Sequence, residues 1–222
     1  MEKFVPELKG TLRRHMIEVP ECIRKATGIK IFGKRIKSIA FTTDVAIIKN
    51  INADAIIAVY PFTPQPAITS AITITADVPV FSGVGGGVTT GKRVVNLALD
   101  AEFKGAIAVV VNAPTTNETI AAVRETIDIP IVVTVISENT DIQARLDAGA
   151  NIVNVSGASK TVDIVRNIRA KFPLLPIIAT GGPSDETILA TIDAGANAIT
   201  YTPPSPADLF KISMDKYRKE LE

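Results

Sequence analysis

The chain has 222 residues, 46% of them hydrophobic, enough for one substantial core. Its 24 basic and 23 acidic residues leave a formal charge of +1, which calls for neither nucleic acid nor an anionic membrane as partner. One cysteine (Cys22) excludes an intramolecular disulfide, one histidine (His15) argues against a zinc site of the usual kind, and MEKFVPELKGTLRRHM lacks the apolar core of a signal peptide, so a cytoplasmic location is expected.

The first 28 residues are the least regular and read as an N-terminal helical extension (1–28) ahead of the main domain (29–222). Pro20 opens a helix, PECIRKAT, that Gly28 closes. Cys22 reads as a small apolar residue rather than a nucleophile, because nothing nearby in sequence would lower its pKa. His15, between Arg14 and Met16, reads as a solvated or interface side chain. This segment is also the candidate contact for self-association into a homo-oligomer. Next, IKIFGKRIK alternates apolar and polar residues around Gly33 and predicts a small hairpin.

Buried strands are then predicted at 38–43, 55–60, 78–82, 106–112, 130–136, 151–155, 176–180 and 197–202. They are apolar, rich in β-branched residues and too short for helices, as strands covered on both faces are. Helix starts recur between them: Thr115 with Glu118 as a capping box, Asn139 or Thr140, Ser159, Ser184 with Asp185 and Glu186, and Ser205 before Pro206. PAITSAITITAD, after the second strand, suits a strand as well as a helix.

The pattern repeats. The third, fifth and seventh strands are entered through Pro79, Pro130 and Pro176, and LDAGANIVNVS and IDAGANAITYT are close copies. Eight such units with short right-handed crossovers predict an α/β fold, a single (β/α)8 TIM barrel whose bottom the hairpin would plug.

In that fold the chemistry lies at the C-terminal ends of the strands. The acid–base candidates there are Asp44 and Glu138, either of which could instead cap the helix that follows. In GVGGGVTTGKR, four glycines in five positions permit close approach of a ligand. Lacking the P-loop spacing, this loop reads as a lid carrying Gly85, Gly86 and Lys92, with Lys92 and Arg93 as anion partners. Tyr60, Asn112 and Asn154, at the ends of the second, fourth and sixth strands, could bind substrate.

IIATGG followed by AGANAIT resembles the phosphate-binding group of TIM barrels, which includes thiazole synthase, indole-3-glycerol phosphate synthase, phosphogluconate-type aldolases and several FMN-binding oxidoreductases. IFGKRIKS is similar to the opening of thiazole synthase and FMN barrels. The resemblance implies that Gly181 and Gly182, with Ser205, bind a phosphate. Two departures stand out. Thr202-Pro203-Pro204-Ser205 replaces the family's Gly-Ser or Gly-Thr turn and removes two donors. No strand carries an inward lysine for Schiff-base chemistry, and no histidine–carboxylate cluster suits a metal-dependent aldolase.

The expectation is an enzyme using acid–base chemistry, of lyase or isomerase type, on a small phosphorylated metabolite, with no cofactor and no metal. The alternatives are an FMN-dependent oxidoreductase, a hydrolase, as sequences of this kind are often labelled, and a non-catalytic metabolite-sensing barrel. Ser82, Ser137 and Ser156 lack the histidine partner that a hydrolase triad would need.

Overall fold

Eight parallel strands form a closed barrel, the last pairing with the first. The structure, a computed structural model, describes residues 6, 8, 10 and 16–221, so His15 lies outside the described residues. In chain order the elements are the hairpin β1 (Ile29–Ile31) and β2 (Lys34–Ile36), then β3 (Ser38–Phe41), α1 (Val45–Asn50), β4 (Ala55–Ala58), α2 (Pro66–Thr75), β5 (Val80–Gly85), α3 (Lys92–Phe103), β6 (Ala108–Val111), α4 (Asn117–Thr126), β7 (Ile131–Val135), α5 (Ile142–Asp147), β8 (Ile152–Val155), α6 (Thr161–Lys171), β9 (Ile177–Thr180), α7 (Asp185–Asp193), β10 (Ala198–Tyr201) and α8 (Pro206–Leu221). This is a (β/α)8 TIM barrel, as the repeat predicts.

Alternation along each strand divides the core into an inner and an outer shell. The registers arrange the inner residues in levels of four, drawn from alternate strands. From the bottom these are Ala55, Ala108, Ile152 and Ala198; Ile39, Phe81, Val132 and Ile178; Ile57, Val110, Asn154 and Thr200; and Phe41, Gly83, Thr134 and Thr180. Alanine at three of the four lowest positions leaves room for Ile29, Ile31 and Ile36 of the hairpin, which pack in the same cluster. The hairpin turns at Phe32 and Gly33 with φ of 44° and 83°, as a two-residue type I′ turn requires. It plugs the bottom of the barrel.

The outer shell packs against the helices and the N-terminal segment. PECIRKAT forms a 3-10 helix (Glu21–Lys25) rather than an α-helix. It follows an extended stretch in which Ile17 bridges to Ile51 and the Val19 N–H donates to Asn52 Oδ1 at 2.8 Å. Val19 and Ile23 are buried in one cluster with Ile188 of α7 and Ile199 of β10. By contrast, α8 leaves Phe210, Ile212 and Tyr217 exposed.

The sequence copies mark a structural device. A strand entered through proline has no N–H at its first position, and the N–H one residue later needs an acceptor. Asn151 Oδ1 accepts from Ile131 N at 2.9 Å, and Asn197 Oδ1 accepts from Ile177 N at 2.9 Å. Asn197 Oδ1 also accepts from Arg169 Nη2 at 2.7 Å, while Asn197 Nδ2 donates to Thr27 Oγ1 at 2.9 Å. Burial lowers the pKa of the Arg169 guanidinium from its ordinary value, and its remaining N–H groups go to carbonyls of Gly195, Pro173 and Leu175. In the first strand pair Asp54 plays the same part, accepting from Lys37 N and Ser38 N.

Several boundaries differ from the sequence reading. β5 runs on to Gly85, so the start of the glycine-rich stretch is strand, with a shifted register between Gly83 and Gly85. PAITSAITIT is helical, with Pro66 at its start and the Thr73 and Thr75 hydroxyls donating to carbonyls one turn back. The cap of α4 is Thr116, one residue beyond Thr115, and that of α5 is Asp141 rather than Asn139 or Thr140. Ser184 caps α7 as expected and forms a reciprocal capping box with Thr187, whereas the sequence places such a box at Thr115 and Glu118.

Asn197→Ala should cost about 1–3 kcal/mol of stability, the penalty of leaving the Ile177 N–H without its acceptor. Urea unfolding measures this, and Asn197→Asp, which keeps an acceptor beside Arg169, should lose less.

Candidate active site

Two adjoining cavities occupy the mouth, at the C-terminal ends of the strands. One, of 590 Å³, is lined by residues that include Phe41, Asp44, Val59, Tyr60, Asn112 and Ser205. The other, of 540 Å³, is lined by residues that include Thr180, Gly182, Asp185 and Thr200. Thr202, Pro203 and Pro204 line both, so one wall separates them.

Asp44 stands at the end of β3 as the N-cap of α1. Its Oδ1 accepts from Ala46 N at 2.8 Å and Ile47 N at 3.0 Å, and its own N–H donates to Thr42 Oγ1 at 3.1 Å. Capping and cavity lining therefore coincide in one side chain. The two N–H bonds fix the carboxylate's direction, and Oδ2 makes no hydrogen bond among the described residues. The Tyr60 hydroxyl accepts from Gln65 N at 3.0 Å, which holds the ring and leaves the phenolic proton for another acceptor. Asn112 is held through its backbone, its N–H donating to Gly85 O at 2.9 Å and its carbonyl accepting from Thr115.

Of the residues that the resemblance implies for phosphate, Gly181 and Ser205 are already engaged, while Gly182, at φ of 81°, lines the 540 Å³ cavity. Gly181 N donates to Thr200 O at 3.3 Å. At the start of α8 the Ser205 hydroxyl donates to Asp208 Oδ2 at 2.6 Å, and Ser205 N donates to the same oxygen at 3.1 Å. Those bonds hold the Asp208 carboxyl below its ordinary pKa. At the start of α7 the Ser184 hydroxyl likewise lowers the pKa of Glu186, and Asp185 faces the cavity. Protein carboxylates thus sit at both helix starts where an anionic ligand would be bound. Among the described residues, no lysine or arginine lines either mouth cavity.

Other candidates lie elsewhere. Lys92 and Arg93 are exposed in the first turn of α3 and line neither mouth cavity. Gly85 belongs to β5, and a Cβ on Gly86 would fall 2.0 Å from Thr115 Oγ1 and 2.9 Å from Asn112 N. That close backbone approach, at φ of 96°, accounts for the glycine. Glu138 lines a separate groove with Gln143, Asn167 and Lys171, apart from Asp44. Cys22 lies against α7, where burial, followed by its hydrogen bond with Asp185, raises the thiol pKa, the opposite of what a nucleophile needs.

Sequence reasoning missed two parts of the site. Ser205-Pro206-Ala207-Asp208 is a Ser-x-x-Asp cap, and that spacing alone signals that the serine is committed. Thr134, Thr180 and Thr200 join Asn154 on the inner wall of β7–β10, a grouping visible only once the register is known. Asn154 is 9% exposed and its Oδ1 is buried without a hydrogen-bond partner.

No protein-family model matches the chain, and no curated protein matches it significantly. Among solved structures it is similar to a provisionally assigned phosphonomutase from Burkholderia cenocepacia (16% identity, TM-score 0.63, 83% of this chain and 92% of that one). It is also similar to a phosphonopyruvate hydrolase in complex with oxalate and Mg²⁺ (14%, TM-score 0.59, 86% and 95%). A third similar structure is a mandelate oxidase with (S)-2-phenylpropionate (18%, TM-score 0.63, 80% and 68%). Likeness at these identities is a likeness of fold. It supports the TIM barrel and does not single out the thiazole synthase or indole-3-glycerol phosphate synthase type.

Two outcomes follow from the capping geometry. Asp44→Ala should lose about 1 kcal/mol of stability while Asp44→Asn, an equally good cap, loses almost none. Ser205→Ala should return the Asp208 carboxyl toward its ordinary pKa in a ¹³C NMR titration. Because the folded value is depressed, the contact is intact above the ordinary carboxylate range and is lost as pH falls through the lowered value.

Proposed function

We propose that this barrel is an enzyme that moves a proton on a small carbonyl-bearing metabolite, with Asp44 as the base. One observation carries the reading: Asp44 is oriented by two backbone N–H groups inside the cavity that also holds Tyr60 and Asn112. A carboxylate fixed in this way needs no reorganisation to accept a proton from the carbon beside a carbonyl. The electron pair left behind moves onto the carbonyl oxygen, where the Tyr60 O–H and the Asn112 amide N–H can donate to it. On a 2-hydroxycarbonyl substrate the same carboxylate can return the proton to the former carbonyl carbon, as the neighbouring hydroxyl becomes the new carbonyl and its proton passes to the first oxygen. With Glu138 in another cavity and Lys92 in neither, one carboxylate does both steps, which suits isomerisation better than a lyase reaction with a separate acid.

The geometry favours an uncharged substrate over a phosphorylated one. The Gly181 N–H and both donors of Ser205 are committed, Pro203, Pro204 and Pro206 offer none, and acidic side chains stand at both helix starts. The same features do not fit the phosphate of FMN, the group held as an adduct in another mandelate oxidase structure. Nor does the mouth match the Mg²⁺ complex of the phosphonopyruvate hydrolase, since no group of three His, Cys, Asp or Glu residues capable of holding a metal occurs among the described residues.

The test is hydrogen–deuterium exchange in D₂O, followed by NMR, at the carbonyl-adjacent carbon of a panel of small hydroxycarbonyl compounds and their phosphate esters. The wild type should exchange an unphosphorylated member. Asp44→Asn should lose about 10²–10⁴-fold in rate with an unchanged melting temperature. Equal exchange by wild type and variant would overturn the assignment. Binding without exchange would instead make this a sensing barrel.

A further inference from the structure

The mouth is built in two unlike halves. On its inner wall β7, β8, β9 and β10 present Thr134, Asn154, Thr180 and Thr200, whereas Ile57 of β4 and Val110 of β6 occupy the level of Asn154 and Thr200. The core itself does not ask for an asparagine there: Ile57 and Val110 are each 1% exposed in equivalent positions. A buried amide oxygen with no partner costs about 1–3 kcal/mol, and Asn154 Oδ1 is such an atom, on a residue 9% exposed. The Thr200 hydroxyl is spent on Ala179 O at 3.2 Å and does not serve it. Thr180 and Thr200 line the 540 Å³ cavity, Thr200 on the level of Asn154. Asn154 lies just beneath the lining of the mouth, so a ligand reaches it past these threonines.

We infer that Asn154 is the specificity residue of the mouth and that the buried end of its ligand is an uncharged amide edge, a lactam or carboxamide, seated on β7–β10 with its apolar face toward β3–β6. An asparagine side chain offers one acceptor and two N–H donors in a plane, the complement of a cis-amide N–H and C=O. A ligand N–H would satisfy Oδ1, and the hydroxyls of Thr134 and Thr180, unlike that of Thr200, can serve the ligand's carbonyl. A negatively charged end is not served, because among the described residues neither mouth cavity offers it a cation. The opposite wall of Ile57, Val110 and Phe41 takes a flat apolar face. The inference rests on the mouth being the ligand site, as proposed above, and is independent of any turnover there.

The probes are 2-piperidone and uracil as lactams, with cyclohexanone, which has the carbonyl but no N–H, and inorganic phosphate as controls. Binding is read by saturation-transfer NMR on the full chain. Both lactams should bind the wild type, cyclohexanone and phosphate should not compete, and Asn154→Val should weaken lactam binding at least about tenfold, the factor set by 1.4 kcal/mol. The melting temperature of Asn154→Val should equal or exceed that of wild type, because the variant removes an unsatisfied buried group. Asp44→Asn should keep lactam binding intact, which separates this inference from the assignment of the base. Failure of the lactams to bind would overturn it, as would equal binding of cyclohexanone or lactam binding retained by Asn154→Val. A marked drop in the variant's melting temperature would show that Asn154 serves the fold through a water, and would overturn it too.

Discussion

Closing β10 onto β3 is the constraint on which everything else in this molecule depends. Once Ile199 is in register with Ser38 and Thr200 with Ile39, every strand must show alternate residues to the inside, and each level of the interior holds only four side chains. Three alanines at the bottom admit the isoleucines of the hairpin, and the large Phe81, with its isoleucine and valine neighbours, fills the next level. Above them the interior changes chemistry on one side only. A closed barrel leaves so few inward positions that this asymmetry cannot be spread elsewhere. It becomes the character of the mouth.

The same closure explains why the loops at the mouth are already hydrogen-bonded without a ligand. Short helices follow the strands closely, and each needs its first N–H groups satisfied. Asp44, Thr116, Asp141, Ser184 and Ser205 do this from strand ends or the turns beyond them. At α7 and α8 the arrangement recruits Glu186 and Asp208 as well, and their carboxylates are held ionised by serine hydroxyls. A helix start that binds its own carboxylate is a poor host for a ligand's phosphate. At Asp44 the outcome differs, because only one of its two oxygens is used for capping.

Much of the fold was legible in the residues. β-branched runs entered through proline or Gly-Ala-Asn announce buried parallel strands, and Asn151 and Asn197 prove to be the acceptors that make a proline entrance workable. The glycine stretch misled because glycine has no side chain to show alternation, so Gly83 and Gly85 look like loop although they pair with β6. In the site, Asp44, Tyr60 and Asn112 could be named because they end strands. Thr134 and Thr200 could not, since a threonine within an apolar run faces the core or the helices according to a register that local sequence does not contain. Thr180, though it ends β9, joins them only through that register. Ser205 looked available as a donor until Asp208, three residues on, was seen to hold it.

A crystal of the protein soaked with 2-piperidone tests the central claim, that the inner half-wall of β7–β10 is the binding surface. The account predicts density in the mouth with the ring nitrogen at about 2.7–3.2 Å from Asn154 Oδ1 and the methylene face toward Ile57 and Val110. It would be contradicted by a lactam seated away from Asn154, or by a phosphate ester bound at Gly182 and Ser205 with the Ser205–Asp208 bond broken.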